Sequence, residues 1–275
     1  MKTIKKYKHF LPVVVYGIFY LKCFQYLETH ITKGYHLIHT PFDDMIPFCE
    51  FFVIPYFMWF GYIAWSVLYF GFCNKNRREY YQLIINLGIG MTAFLVISYL
   101  YPNGQNLRPT VFPRENIFTD LVRGLYLTDT PTNVFPSIHV YNSVAVAVAV
   151  EHSEQLKNRP VFRNVCLGLT VLIVFSTMFL KQHSVSDVCC ALVMNAGTCM
   201  LLYRPAKAGN ALRTREKKAK YRIVKNGNGR PAHQKVRGPD GLGRERMGDE
   251  WDGSAGKMKC VRLLRNKTYK TYKIY

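Results

Sequence analysis

Six stretches of this chain are apolar for long enough to cross a lipid bilayer, and that recurrence constrains the fold more than any single motif. They run approximately over residues 9–27, 45–72, 80–101, 135–150, 161–180 and 185–203. About twenty apolar residues in a helix cross a hydrocarbon core. A helix satisfies its own backbone polar groups where lipid cannot, so the runs predict an all-α, polytopic membrane protein with about six transmembrane helices. The second run has length to spare for tilt, and the fourth is the shortest. Pro47 and Pro55 are expected to kink the second.

Charge is distributed as unevenly as hydropathy. Residues 204–275 carry 21 lysines and arginines against 6 acidic residues, which puts +15 of the chain's +20 there and leaves the body nearly neutral. The sequence thus divides into a membrane domain at 1–203, with its motifs at about 101–187, and a basic tail at 204–275. The tail is rich in Gly, Pro, Lys, Arg and Asn without periodicity, and is expected to be disordered. Basic charge alone is unspecific. Beside a membrane domain its expected partners are anionic lipid headgroups, with no nucleic acid expected. The eight cysteines lie mostly inside apolar runs with no C-x-x-C spacing, and read as small core residues instead of a disulfide framework.

The charges between the runs set an orientation. Lys2, Lys5, Lys6 and Lys8 precede the first run, Lys75, Arg77 and Arg78 follow the second, and Lys157, Arg159 and Arg163 follow the fourth. The positive-inside rule makes these segments and both termini cytoplasmic. The loops at 28–44, 102–134 and 181–185 then face the outer or lumenal side. In the long outer loop, Ile117, Phe118, Leu121, Val122 and Leu125 recur at the spacing of an amphipathic helix lying on the interface.

Ionisable residues at membrane depth are costly and mark functional sites. On this chain they gather at one face. His183 and Asp187 stand at i and i+4, so on a helix the carboxylate shares a face with the ring and can fix its tautomer. His139 follows Pro136-Ser137-Ile138 at a helix start, where unpaired N–H groups form a cradle for an anion such as phosphate. Arg108 adds a planar cation suited to phosphate oxygens. The set reads as phosphoryl transfer, with one histidine attacking phosphorus and the other protonating the leaving oxygen. No metal or cofactor is required. Two other readings stay open: a metal site built from His139, His183 and Asp187, and a non-catalytic lipid-binding or transport scaffold.

These residues resemble the phosphatidic acid phosphatase type 2 superfamily of membrane lipid phosphatases and phosphotransferases. Its motifs are K-x6-R-P, P-S-G-H and S-R-x5-H-x3-D. Their counterparts here are Tyr101 to Arg108-Pro109, Pro136-Ser137-Ile138-His139, and Ser176-Thr177 to His183 and Asp187. The resemblance covers about residues 45–203. It implies His183 as a phosphohistidine-forming nucleophile, Asp187 as its orienting partner, His139 as general acid, and Arg108 and Ser137 as phosphate ligands, with Ile138, next to Ser137, also at the substrate. Tyr101, Ile138 and Thr177 depart from the pattern, and two of those departures remove cations. In this the chain is similar to the branch of inositol phosphorylceramide synthases, and Lys181 is the candidate replacement cation. The implied substrate is a lipid phosphate or diphosphate.

Overall fold

The computed structural model describes residues 8–203 and three short stretches of the tail. Residues 1–204 and 205–275 form separate units. In the second unit, β3 (Met247–Trp251), β4 (Met258–Arg262) and β5 (Lys270–Thr271) pair antiparallel in the order β3-β4-β5. The rest of the expected disordered tail lies outside the described residues.

The described part of the first unit is mainly helical, with one short strand pair in its loops. Its helices are α1 (Leu11–His30), the short α2 (Pro41–Met45), α3 (Val53–Leu68), α4 (Arg77–Leu100), α5 (Ile117–Thr128), α6 (Ile138–His152), α7 (Pro160–Phe179) and α8 (Val185–Leu202). Their starts follow local chemistry. Asn76, Asn116, Ser137 and Ser184 cap α4, α5, α6 and α8 with side-chain oxygens that accept first-turn N–H groups. Pro160 opens α7, where a missing N–H costs nothing.

The second apolar run differs from the single kinked helix expected of it. Pro47 lies in the non-helical stretch after α2, and a 3-10 turn at Glu50–Phe52 leads into α3. Pro55 falls in the first turn of α3, where a proline is tolerated.

Among the described residues, four helical segments are long and apolar enough to cross a membrane: Glu50–Cys73, Arg77–Leu100, Pro160–Phe179 and Val185–Leu202. The other two expected spans are α1 and α6. At 15 residues α6 reaches roughly 22 Å of a hydrocarbon core about 30 Å thick. It is also the most enclosed helix, packed against α3, α4, α7 and α8. Buried Ser143, Ala145 and Ala149 let these neighbours approach its backbone. The outward faces are apolar, with Phe60, Ile85, Val96, Val165 and Val193 all exposed. So extensive an apolar exterior is that of a membrane protein. Of the seven cysteines described, all are free and only Cys166 is buried. On this inside-out surface a small apolar residue gains as much by facing lipid as by facing the core.

Candidate active site

The site rests on a loop scaffold organised by Asn103. β1 (His36–Leu37) pairs in parallel with β2 (Asn103–Gly104), and Gly104 bridges to Thr132. Asn103 is fully buried. Its Oδ1 accepts the N–H groups of Val134 and Phe135, both at 2.9 Å, and its carbonyl accepts that of Asn133 at 2.7 Å. These bonds fix the segment that leads through Pro136 into α6. A Cβ on Gly104 would lie 2.8 Å from the Pro131 carbonyl, so this crossing requires glycine.

At the start of α6, buried Ser137 turns its Oγ to the Val140 N–H at 3.4 Å, and its own N–H donates to the Asp187 carbonyl at 3.4 Å. The beginnings of α6 and α8 are thereby tied together. His139, the second residue of α6, lies with its ring centroid 4.7 Å from Tyr56, 4.3 Å from Trp59 and 5.7 Å from His183. Its Nδ1 is buried with no hydrogen-bond partner.

His183 sits in the turn between α7 and α8, and its N–H donates to the Thr177 carbonyl at 3.0 Å. Its Nδ1 lies 3.4 Å from Oδ2 of the fully buried Asp187. The same Oδ2 accepts the Ser184 N–H at 2.9 Å, so Asp187 closes the capping box of α8 while it faces the histidine. Asp43 of α2 anchors this turn from the other side. It accepts from the Ser184 hydroxyl at 2.6 Å and the Val185 N–H at 2.8 Å. Burial pushes its carboxyl up, but bonds from Ser184, Val185 and Thr40 outweigh that and hold it below the ordinary aspartate value.

His139 and His183 share one cavity with Ile138, Gln182, Asp129 and Glu28. Its volume is about 30 Å³, room for a water or two. Asp129 and Glu28 were not evident as site residues from sequence. Asp129 accepts a bond from the Tyr56 hydroxyl at 3.3 Å; burial pushes its carboxyl up, opposed by Arg108 and His183. Glu28 accepts from Thr130 and, at 3.0 Å, from Asn133. The one sequence signal was the polar run Thr128-Asp129-Thr130 shortly before the Pro-Ser-x-His motif.

Arg108 reaches this region but is engaged by protein acceptors. It donates to the Tyr126 carbonyl at 3.2 Å, the Thr130 carbonyl at 3.3 Å and Gln182 Oε1 at 2.7 Å, and lies 4.5 Å over the Tyr126 ring. Burial draws its pKa below the ordinary value, with Asp129 opposing. Lys181 is turned elsewhere: its Nζ donates to the Asp43 carbonyl at 2.6 Å, and it does not line the cavity with the histidines. The ammonium expected as the replacement charge is thus engaged by α2. Thr177 directs its hydroxyl to the Val174 carbonyl at 2.7 Å, and Tyr101 stacks on His36 at 4.4 Å. Neither stands in for the missing cation at its position.

The arrangement joins a carboxylate-backed imidazole to a second, unpartnered imidazole on one cavity wall, which suits nucleophilic attack followed by proton transfer. Among the described residues no group of three or more His, Cys, Asp or Glu side chains is placed to hold a metal ion. No curated protein and no solved structure matches the chain. Residues 81–208, the stretch that carries Arg108, Ser137, His139, His183 and Asp187, match the family model of the PAP2 superfamily.

Proposed function

We propose that this protein is a membrane phosphatase or phosphotransferase that cleaves a phosphate ester or anhydride of a lipid through a phosphohistidine on His183. The observation that carries the reading is the pairing of His139 and His183 on one cavity, with Asp187 behind His183 alone. Asp187 holds Nδ1–H and leaves Nε2 free to attack phosphorus. As the P–N bond forms and the P–O bond to the lipid breaks, His139 protonates the departing oxygen. His139 then takes a proton from water or an alcohol, whose oxygen displaces His183 from phosphorus. At 3.4 Å the His183–Asp187 contact is long, as such pairs are before substrate draws them together.

The loss of family cations at Tyr101 and Thr177 favours the branch similar to inositol phosphorylceramide synthases, in which an alcohol takes the place of water. Loop charge supports a site on the outer or lumenal side and a cytoplasmic basic tail that meets anionic headgroups. The test is an assay of the purified full chain against phosphatidic acid, phosphatidylglycerol phosphate, isoprenyl diphosphates and phospholipid donors, each with and without alcohol acceptors. Released phosphate or transferred headgroup is the expected result. The absence of both for every donor would leave the non-catalytic lipid-binding scaffold as the better account.

A further inference from the structure

Gln182 was not singled out by any motif, yet it is the side chain that answers the missing cations. It lines the cavity with His139 and His183 and is only 2% exposed. A guanidinium has donors only, so the atom facing Arg108 at 2.7 Å must be the amide oxygen. That bond fixes the amide's orientation, and its Nε2 is left buried with no partner. The two carboxylates on the cavity wall do not claim it. Asp129 accepts from Tyr56, and Glu28 from Thr130 and Asn133. A buried amide donor without an acceptor is costly, and a folded chain carries that cost when a ligand completes the bond.

We propose that Gln182 is a catalytic residue of this site, its Nε2–H donating to a non-bridging phosphoryl oxygen as charge builds there in the transition state. Arg108 is the positioning residue: it acts through the Gln182 oxygen, aiming the donor and polarising the amide. The main-chain N–H of Gln182 is held by the Thr177 carbonyl at 2.9 Å, so the turn that presents His183 also presents the donor. A residue at the position of a lost arginine thus contributes through its backbone, and a neutral amide five residues later supplies the hydrogen bond.

This inference rests on the phosphoryl-transfer reading. The experiment measures steady-state turnover of a lipid phosphate, and inhibition by orthovanadate, for the full chain and for Gln182→Met, Gln182→Glu and His183→Gln. Gln182→Met removes the donor at similar length. Gln182→Glu keeps an oxygen for Arg108 and the shape of the side chain, which guards against loss of fold. Both Gln182 variants are expected to lose about 10²–10³-fold in kcat with KM within about threefold, and to weaken orthovanadate inhibition by a similar factor. A merely structural role would not single out the transition-state mimic. A folded Gln182 variant with kcat within about threefold of wild type, while His183→Gln is inactive, overturns the role of Gln182 alone. Wild-type protein that turns over no lipid phosphate overturns it together with the reading it rests on.

Discussion

Asp43 shows how a residue remote from the chemistry sets the turn that holds it. Its carboxylate is 2% exposed and binds both the cap of α8 and the N–H of Val185. Its folded pKa lies below the unfolded value of about 3.9. The stability it contributes is therefore complete above that value and is lost as pH falls through the folded pKa. Asp43→Asn should lower the melting temperature at neutral pH and flatten the fall in stability below about pH 4. Melting curves measured from pH 7 downward check this, and an unchanged acid limb would contradict it. At this scale the sequence revealed the residues that carry unusual chemistry in a recognisable spacing. Histidines and a carboxylate at helix boundaries stand out against apolar runs. Asn103, Asp43 and Gln182 did not, because their importance lies in bonds to groups 31, 142 and 74 residues away in the chain. Such bonds leave no local period.

Among the elements, the start of α6 was legible because Pro136-Ser137 announces it, and Asn76, Asn116 and Ser184 prove to cap α4, α5 and α8. The amphipathic α5 was legible as well, and its buried face proves to be Thr119, Val122 and Leu125, packed near Val53 and Leu180. What holds the helices together was not legible. Tyr141 of α6 bonds Asn86 of α4 and Thr198 of α8, each at 2.9 Å, and Asn195 bonds the Tyr141 carbonyl at 3.1 Å. Polar groups inside a bundle act as contacts between helices, where burial of apolar surface gives no driving force. The Tyr141 ring lies where a Cβ on Gly90 would be, 2.1 Å from its nearest atom. Gly90→Ala must displace this ring and both of its hydroxyl bonds, and should destabilise the bundle by about 1–3 kcal/mol. Thermal unfolding in detergent or nanodiscs is the measurement; a melting temperature equal to that of wild type would contradict the packing described.

For the whole molecule, the apolar runs fixed the class of fold because a membrane leaves the backbone few alternatives. They over-simplified the second run, where Pro47 and the 3-10 turn divide α2 from α3. That division has a consequence at the site, since it frees Asp43 to reach the start of α8. The fold then brings together side chains from α6, the turn before α8 and the loops at 28–44 and 102–134, which no single segment could assemble. The account as a whole stands on His183 as the group that becomes covalently attached to phosphorus. The direct measurement is acid-free denaturing quench of the full chain during turnover of a lipid phosphate labelled on phosphorus, followed by peptide mapping. The expected result is an acid-labile, base-stable label on His183 in wild type and none in His183→Gln. Turnover without any labelled enzyme, or label that persists in His183→Gln, would contradict it.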